Sequence, residues 1–268
     1  MDFNNRVVWI TGASSGIGKA LAEELCLCSN AKMIISARNE KALKELKGSL
    51  EKKEEKRIFV LPLDLSDHGS LGVKAEKALG KWGAVDHLIN NAGISQRSLI
   101  MDTDFAVIKK IIDVDLLGTI ALTRHVLPYM AENSSGHITV ISSVAGKFTT
   151  PLRSVYSAAK RGLSGFFDGL RLESRVHNIR VTMIYPGFIK TAVSVNALDG
   201  KGEKHGIMDT GQENGMSAGI CAGKIIHAIE KNASEKYIGI SPKVRLALLL
   251  KKYFPGLLDR ILSKADPT

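Results

Sequence analysis

Short apolar segments alternate with longer amphipathic segments through most of this chain. The apolar segments have the length and composition of buried strands, and they lie at 7–11, 33–37, 58–63, 85–90, 138–142 and 181–185. Residues with helical spacing fill the intervals, at 17–29, 40–56, 66–82, 104–132 and 154–177. Strands that alternate with helices form parallel β–α–β crossovers, and the helices then cover both faces of the sheet. The 268 residues are therefore predicted to form one α/β domain with a doubly wound parallel sheet.

Two details of the helices are predicted more closely. Ser66 is expected to cap the helix that ends at Trp82, because serine oxygens accept hydrogen bonds from the first N–H groups of a helix. The long helix 104–132 is expected to bend near residues 115–118. A helix at 218–230 and a short strand at 237–241 complete the predicted domain, residues 1–241.

Residues 188–217 interrupt the regular pattern. They are rich in Gly, Lys, Asp and Asn and show little periodicity. A stretch this long without regular structure inside a compact domain is usually a lid or a binding loop. We therefore predict a substrate lid here. The alternative is a surface insertion with no part in binding.

The C-terminal extension, residues 242–268, is basic and amphipathic. The chain has a formal net charge of +10, and six Lys and Arg residues against Asp259 give +5 between residues 242 and 264 alone. Leucines and aromatic residues alternate with these cations around Pro255, which predicts two helices. They would lie in a membrane interface or pack on the body or a second subunit, and the sequence leaves these alternatives open. No nucleic-acid motif occurs, so nucleic acid is not an expected partner.

The remaining composition is that of a soluble globular protein, with 44% hydrophobic and 24% charged residues. Residues 1–6 lack the pattern of a secretory signal, and no apolar run is long enough to span a bilayer. We therefore expect a cytoplasmic protein. The histidines are scattered, and Cys26 and Cys28 point apart on their predicted helix, so neither a metal site nor a disulfide is expected.

A glycine-rich turn joins the first strand to the first helix. Its sequence, Thr-Gly-Ala-Ser-Ser-Gly-Ile-Gly, supplies the candidate cofactor-binding residues Gly12, Ser14, Ser15, Gly16, Ile17 and Gly18. Glycines allow a tight turn and let a pyrophosphate approach the helix N-terminus, where N–H groups and the helix dipole favour anions. The spacing G-x-x-x-G-x-G between a strand and a helix predicts a Rossmann-like dinucleotide site.

Arg38 follows the second strand, twenty residues beyond Gly18. An acidic residue near this place would hydrogen-bond the ribose of NAD, whereas an arginine suits the 2′-phosphate of NADP. NADP(H) is therefore the predicted cofactor. The alternative is that Arg38 only begins the polar face of the next helix.

A hydroxyl, a phenol and an amine lie close in sequence at Ser143, Tyr156 and Lys160. Tyr156 and Lys160 are four residues apart, so they share one face of a helix. An ammonium beside a phenol favours the phenolate, and a tyrosine so placed is usable as a general acid or base near neutral pH. Such pairs also occur by chance, so the catalytic interpretation depends on the rest of the chain.

Several motifs together resemble the classical short-chain dehydrogenase/reductases. They are the glycine turn, Asn90-Asn91-Ala92-Gly93, Ser143, Tyr156-x-x-x-Lys160 and Pro186-Gly187-x-x-x-Thr191. The match covers about residues 6–191, and a run at 194–210 further resembles the member 7B-like branch of that family. The branch is linked to lipid metabolism, through reduction of acyl- or alkyl-dihydroxyacetone phosphate. The family resemblance also implies a homodimer or homotetramer.

The resemblance implies a role for each matching position. Tyr156 would exchange the proton at the carbonyl or alcohol oxygen, Ser143 would hydrogen-bond that oxygen, and Lys160 would bind the nicotinamide ribose. The remaining implied cofactor contacts are Asp64 and Leu65 at the adenine, Asn91 at the adenosine ribose, Gly93 along the site and Thr191 at the nicotinamide carboxamide. Ser143 and Thr191 each follow a predicted strand, and ligands of parallel sheets bind at the carboxyl ends of strands.

Asp115 departs from the family pattern. The family usually has asparagine at this place, where it helps to hold a water that links the lysine to solvent. A carboxylate near Lys160 would raise the pKa of the lysine and weaken its effect on Tyr156. We therefore include Asp115 in the predicted catalytic group and expect slower chemistry.

Two functions are consistent with these features. The first is an NADP(H)-dependent oxidoreductase that interconverts a ketone and a secondary alcohol, with a lipophilic substrate such as an acyl-dihydroxyacetone phosphate, a steroid or another bulky ketone. The second is a binding protein that senses NADP(H) on the same fold without turnover, for which Asp115 is the only support. The identity of the substrate and the direction of reaction are not encoded in these motifs.

Overall fold

Seven parallel strands form the central sheet of the computed structural model, which describes residues 3–50 and 56–264. The strands of this sheet are β1 (Val7–Thr11), β2 (Lys32–Ser36), β3 (Ile58–Val60), β4 (His87–Asn90), β5 (Gly136–Ile141), β6 (Ile179–Pro186) and β9 (Glu235–Ile238). Two further short strands, β7 (Ile189–Lys190) and β8 (Met216–Ser217), form a separate pair. Their order across the sheet is β3-β2-β1-β4-β5-β6-β9. The chain thus winds outward from β1 in both directions, which leaves a crevice at the carboxyl ends of β1 and β4.

Helices cover both faces of the sheet, which confirms the predicted doubly wound α/β domain. They are α1 (Gly16–Cys28), α2 (Glu40–Leu50), α3 (Leu71–Trp82), α4 (Phe105–Ile112), α5 (Gly118–Glu132), α6 (Ser154–Glu173), α7 (Thr210–Glu213), α8 (Ala218–Glu230), α9 (Pro242–Tyr253) and α10 (Pro255–Leu262). Leu21 of α1 and Ile225 of α8 belong to the apolar core on one face, and Leu122 of α5 and Phe167 of α6 belong to the core on the other. Because both faces are buried, the strands are apolar without alternation.

Several predicted boundaries need correction. The strand predicted at 237–241 is β9, Glu235–Ile238. Ser66 does not cap a helix: its N–H and hydroxyl donate to Asp64 Oδ1 at 2.9 and 2.7 Å, and α3 begins only at Leu71. β3 is shorter than predicted and ends at Val60. The predicted helix 40–56 is observed to Leu50, residues 51–55 lie outside the described residues, and Lys56 is not helical.

The predicted bend in the long fourth helical segment is a π-helical turn, Asp113–Leu117, between α4 and α5. Gly118 follows this turn, and a β-carbon on it would lie 2.1 Å from the Leu65 carbonyl oxygen. A side chain at that position would therefore push the helix away from the loop after β3. The π turn places Asp115 toward the interior, where its side chain is fully buried.

The segment 188–217 is more ordered than its composition indicated. It contains β7, α7 and β8, and its backbone is hydrogen-bonded to the loop that follows β4. Leu198 donates to the Ser95 carbonyl and accepts from the Arg97 N–H, both at 2.8 Å, and Gly200 accepts from the Asp104 N–H at 2.9 Å. The expectation of a structureless stretch was therefore wrong, because distant backbone partners supply the order that local periodicity does not show.

The C-terminal extension forms the predicted helix pair, α9 and α10. Ser241 caps α9, and Pro255 begins α10. Val244 and Leu258 are buried and cluster with Phe148 of the body, so one face of the pair packs on the domain. The opposite face carries exposed apolar side chains: Leu246, Leu249, Tyr253, Phe254, Leu257 and Ile261. Within residues 3–50 and 56–264, no helix is long and apolar enough to cross a membrane.

Candidate active site

A cavity of about 1270 Å³ opens at the carboxyl ends of the central strands. Its walls bring together most of the predicted site residues: Gly12, Ser14, Ser15, Gly16, Ile17, Arg38, Asp64, Leu65, Asn91, Gly93, Ser143, Tyr156, Lys160 and Thr191. Gly18 and Asp115 do not line the cavity themselves but contact residues that do: Gly18 packs against Gly12 and Asn91, and Asp115 pairs with Lys160. Residues far apart in sequence therefore converge at the crevice that the strand order creates.

The glycine turn depends on the absence of side chains. Gly12 and Gly16 have φ angles of +67° and +54°, a region that suits glycine. A β-carbon on Gly18 would lie 2.3 Å from the Gly12 carbonyl oxygen, and one on Gly12 would lie 2.8 Å from the Ala92 Cα. The backbone of this turn therefore packs directly against the loop after β4, and the N-terminus of α1 faces the cavity.

Asn91 joins the ends of β1 and β4. Its side-chain amide donates to the carbonyls of Thr11 at 2.9 Å and Gly12 at 3.3 Å, while its N–H donates to the Thr11 hydroxyl at 3.0 Å. These bonds fix the glycine turn relative to the floor of the cavity. Asn91 thus shapes the turn as well as lining the cavity.

Ser143 is the second residue after β5 and begins a short turn that packs against α6. The neighbouring Ser142 hydroxyl donates to the Lys160 carbonyl at 3.0 Å, and a β-carbon on Gly146 would lie 2.8 Å from the same oxygen. Arg161 also donates to the Gly146 carbonyl, at 3.2 Å. These close contacts hold the Ser143 turn in a fixed position relative to the helix that carries Tyr156 and Lys160.

Tyr156 and Lys160 lie on the cavity-facing side of α6, one turn apart. The Lys160 Nζ atom is 5.6 Å from the centroid of the Tyr156 ring. Lys160 is 4% exposed, whereas Tyr156 is half-buried at the cavity wall. The structure thus places a buried cation beneath a phenol that a ligand in the cavity can reach.

Asp115 forms a buried ion pair with Lys160, with 3.2 Å between Oδ2 and Nζ. Its other oxygen accepts from the Ile94 N–H at 2.7 Å. Burial by itself would lower the pKa of Lys160, but the charge of Asp115, together with Tyr156, raises that pKa above its ordinary value. Burial also raises the pKa of Asp115, against the opposing effect of the lysine. The pKa of Lys160 therefore moves in the direction expected from the sequence, and the lysine is an ammonium.

Gly93 completes this buried group. A β-carbon at Gly93 would lie 2.9 Å from Lys160 Nζ and 3.1 Å from Asp115 Oδ2. A larger residue would therefore force the two charges apart.

Arg38 lies exposed on the cavity wall that follows β2, and its charge acts on Asp64. Burial opposes ionisation of Asp64, but hydrogen bonds from Ser66 and the positive charges of Arg38 and Lys110 outweigh it, and the pKa of Asp64 is lowered. Arg38 and Lys110 both line the cavity, so this part of the cavity presents two cations.

A largely buried polar group on the opposite wall was not predicted from the sequence. Arg97 donates to both carboxylate oxygens of Asp209, at 3.3 Å through Nε and at a shorter distance through Nη2. Arg153 donates to Asp209 Oδ2 at 2.7 Å. Burial and the neighbouring Arg97 lower the pKa of Arg153. Arg97 and Asp209 are 112 residues apart. Arg97 matches no motif, whereas Asp209 lies inside the run 194–210 and Arg153 inside the Ser143–Lys160 stretch.

The apolar side chains of the remaining wall come from several parts of the chain. Phe188 and Ile189 contribute from the segment 188–217, and Val244, Ala247 and Leu262 contribute from the C-terminal helices. The extension is thus part of the cavity wall.

The carboxyl edge of a doubly wound sheet, with a glycine turn on one side and a tyrosine–lysine pair on the other, is the arrangement of a dinucleotide-dependent dehydrogenase. The chain belongs to the short chain dehydrogenase family, whose model matches residues 6–202. This membership makes it an oxidoreductase of the class that uses a nicotinamide cofactor.

Individual relatives agree with this assignment. The chain is 39% identical over 263 residues to dehydrogenase/reductase SDR family member 7B of Mus musculus, with 97% of this chain and 80% of the mouse protein covered. It is 40% identical to the SDR family protein 7-like of Anopheles gambiae, with 97% and 83% covered. The predicted similarity to the member 7-like branch is therefore confirmed.

Among solved structures, a short-chain dehydrogenase from Streptomyces avermitilis superposes with a TM-score of 0.77 at 26% identity, with 97% of this chain and 94% of that chain covered.

Proposed function

We propose that this protein is an NADP(H)-dependent oxidoreductase that transfers a hydride between nicotinamide and the carbon of a ketone or secondary alcohol. The main support is the convergence of Ser143, Tyr156 and Lys160 on the cavity that the glycine turn also lines. NADP(H), when bound, supplies or accepts the hydride. In the reductive direction the Tyr156 hydroxyl donates a proton to the carbonyl oxygen, and Ser143 donates a hydrogen bond to it. The Lys160 ammonium stabilises the phenolate that remains.

The preference for NADP(H) over NAD(H) rests on the cations at the adenine end. Arg38 follows β2, where a guanidinium can pair with a 2′-phosphate, and Lys110 adds a second positive charge along the same wall. The glycine turn suits a dinucleotide because it lines the cavity and the N-terminus of α1, whose free N–H groups favour anions, faces the same space. Asp64, Leu65, Asn91, Gly93 and Thr191 are the further residues that would contact the cofactor.

The proposed substrate is a lipophilic ketone or alcohol. Aromatic and aliphatic side chains from the segment 188–217 and from α9 and α10 line the cavity beyond Tyr156. A bulky acyl, alkyl or polycyclic group would bury apolar surface there, which favours acyl-dihydroxyacetone phosphate-like, steroid-like or similar ketones. We take segment 188–217 as the lid over this substrate.

The C-terminal helices support a second proposal, that a cytoplasmic enzyme binds membranes peripherally. One face of α9 and α10 packs on the body and lines the cavity, while the other exposes leucines and aromatic residues among lysines and arginines. A basic amphipathic surface of this kind binds anionic membrane interfaces. A lipophilic substrate would then enter close to the bilayer. We also propose a homodimer or homotetramer, in keeping with the family.

The competing function is an NADP(H)-sensing protein without turnover. Its only structural support is the Asp115 charge beside Lys160, and the intact Ser143, Tyr156 and Lys160 count against it. NADPH oxidation with a panel of bulky ketones separates the two functions. We expect turnover by the wild type, a loss of about 10³-fold in Tyr156→Phe, and unchanged NADPH affinity in that variant.

Tyr253→Phe is the matched control, because that phenol is exposed on the C-terminal helix. Equal rates in wild type and Tyr156→Phe would remove the tyrosine mechanism. NADPH binding without turnover on any ketone would favour the sensing protein.

A further inference from the structure

A buried cluster of two arginines and one carboxylate joins the lid to the body of the protein. Asp209, which directly precedes α7 in the lid, accepts from Arg97 through both carboxylate oxygens and from Arg153 through one. The side chains of Arg97 and Asp209 are only 3% and 2% exposed. Without the carboxylate, the buried Arg97 guanidinium would lose its ion-pair partner while lying near a second cation, Arg153. The position of Arg97 therefore depends on a contact with segment 188–217.

Arg97 is further fixed by its own strand-like segment, residues 95–98, which we call the connector. Its Nη1 atom donates to the Ser95 hydroxyl at 3.0 Å and to the Gln96 carbonyl at 2.6 Å. The backbone of Arg97 pairs with Leu198 of the lid. The connector thus meets the lid through both backbone and side chain.

The same connector holds the N-terminus of the catalytic helix. Gln96 is fully buried, and its Oε1 atom accepts from the Val155 N–H at 3.0 Å and, at the long limit of 3.5 Å, from the Tyr156 N–H. Its amide nitrogen donates to the Ser98 carbonyl and hydroxyl, at 3.3 and 3.2 Å. Gln96 therefore supplies the cap that the first turn of α6 otherwise lacks, because Arg153 at the cap position gives no side-chain capping bond.

We propose that the connector couples lid closure to the placement of Tyr156, with Gln96 and Arg97 as positioning residues. Asp209 binds Arg97 when the lid closes, Arg97 orients the connector, and the adjacent Gln96 then holds the first turn of α6 so that the Tyr156 hydroxyl points at the substrate oxygen. An open lid releases Arg97 and loosens this cap. The inference rests on the proposed reductase function for its catalytic consequence, but not for the physical coupling.

Kinetics test the catalytic consequence. Asp209→Asn and Gln96→Ala are expected to lower kcat by about 10- to 100-fold, the cost of a small misplacement of a reacting group, while NADPH affinity measured by fluorescence stays unchanged. Arg97→Lys keeps the charge without the two-pronged contact, so it should retain more activity than Arg97→Met.

Lys201→Met is the matched control, since it breaks an exposed lid ion pair with Asp104, 2.9 Å long, and leaves the bonds of Asp209 to Arg97 and Arg153 in place. We expect a kcat close to that of the wild type. A loss equal to that of Asp209→Asn would show that any lid contact matters, and it would overturn the specific role of the connector.

Hydrogen exchange tests the coupling without turnover. In the Asp209→Asn variant, amide hydrogen exchange should become faster in residues 194–210 and also at the Val155 and Tyr156 amides. If Asp209→Asn does not fold, Arg97→Lys takes its place with the same expected result. In Lys201→Met only the lid amides should change. Faster lid exchange with unchanged Val155 and Tyr156 amides would disprove the coupling. If the wild type reduces no ketone, the proposed function fails, yet the exchange experiment still decides the inference.

Discussion

Asp115 Oδ2 lies 3.2 Å from Lys160 Nζ in an interior where neither side chain is more than 5% exposed. The carboxylate is held in place by the Ile94 N–H and by the π-helical turn that carries it. The lysine beneath Tyr156 is therefore a protonated but partly neutralised cation. A lysine that stabilises a phenolate does so through its net field, and the adjacent carboxylate reduces that field.

Asp115→Asn should accelerate the reaction and move its pH dependence. Asparagine keeps an oxygen for the Ile94 N–H but removes the negative charge that opposes phenolate formation. The pH–rate profile of alcohol oxidation should then shift downward by about one unit at most, because Asp115 acts on the phenol through its contact with Lys160. Steady-state rates between pH 6 and pH 10 measure this shift, and an unchanged profile would show that Asp115 does not influence Tyr156. Asp113→Asn, on the same π turn, is the control.

Arg38→Asp should reverse the cofactor preference. The substitution removes the guanidinium available to a 2′-phosphate and places a carboxylate where it can accept from a ribose hydroxyl. We expect the ratio of kcat/KM for NADPH over NADH to fall by about 100-fold, from loss of a charge-assisted contact and gain of a repulsion. Arg124→Asp, on α5 and outside the cavity lining, should leave the ratio unchanged. An unchanged ratio in Arg38→Asp would mean that Arg38 only begins the polar face of α2.

Gly18→Ala should destabilise the protein and abolish dinucleotide binding. The added methyl group would lie 2.3 Å from the Gly12 carbonyl oxygen and 2.5 Å from the Asn91 amide nitrogen, both of which shape the glycine turn. Overpacking of this kind costs about 1–3 kcal/mol of unfolding free energy. Gly80→Ala is the matched control, because no atom lies within 4 Å of its β-carbon and alanine should stabilise α3 by about 0.5–1 kcal/mol. Equal effects of both substitutions in urea unfolding would contradict the steric argument.

Much of the fold was predictable because it is encoded locally. The apolar runs of the central strands are continuous, and the turn between β1 and α1 has its glycines where a tight turn requires them. The bend in the long helix was also located correctly, although its π-helical geometry was not. Ser66 failed as a cap because its hydroxyl binds Asp64 instead, a competition between neighbouring polar groups that residue type alone does not resolve.

The substrate side of the site was less predictable because it depends on distant partners. The bond between Arg97 and Asp209 joins residues 112 positions apart, and although Asp209 lies in the run 194–210, nothing in that run indicates Arg97 as its partner. Leu198 likewise gains its order from Ser95 and Arg97. Only the tertiary fold brings these segments together, so local composition indicated an irregular loop where the structure has a packed one.

A stacked pair of buried histidines should make the protein sensitive to mild acid. The rings of His87 and His137 are 4.5 Å apart, and His137 contacts the Thr182 hydroxyl at 2.8 Å. Burial, with help from Arg180, lowers the pKa of His137 from 6.5 to about 4, and burial together with His137 also lowers the pKa of His87. Between these values the unfolded chain binds a proton that the folded protein does not, so stability falls as the pH falls.

The expected loss for His137 alone is about 3 kcal/mol of unfolding free energy between pH 6.5 and pH 4, at about 1.4 kcal/mol per pH unit. Urea unfolding at a series of pH values measures it. His137→Asn removes the titrating group and should flatten the dependence, whereas the exposed His177→Gln should not. The same slope in His137→Asn and the wild type would assign the acid sensitivity to other groups.

Membrane binding through the C-terminal helices is best tested on their exposed face. Deleting the whole extension would also remove Val244 and Leu258, which pack against Phe148, so loss of binding would be confounded with unfolding of the cavity wall. We therefore expect the triple variant Leu249→Ser, Tyr253→Ser, Leu257→Ser to fold normally but to lose co-sedimentation with phosphatidylcholine vesicles that contain phosphatidylserine. Binding by the wild type should weaken as salt is raised, because the lysines and arginines act through a screened attraction. It should be weaker still on vesicles without anionic lipid.

The control replaces three exposed apolar residues elsewhere, Leu27, Leu172 and Val176, by serine, and should sediment like the wild type. If the two triple variants sediment alike, the exposed leucines of α9 and α10 are not a membrane surface. A change in the oligomeric state of the C-terminal triple variant alone would instead assign that face to contact with a second subunit.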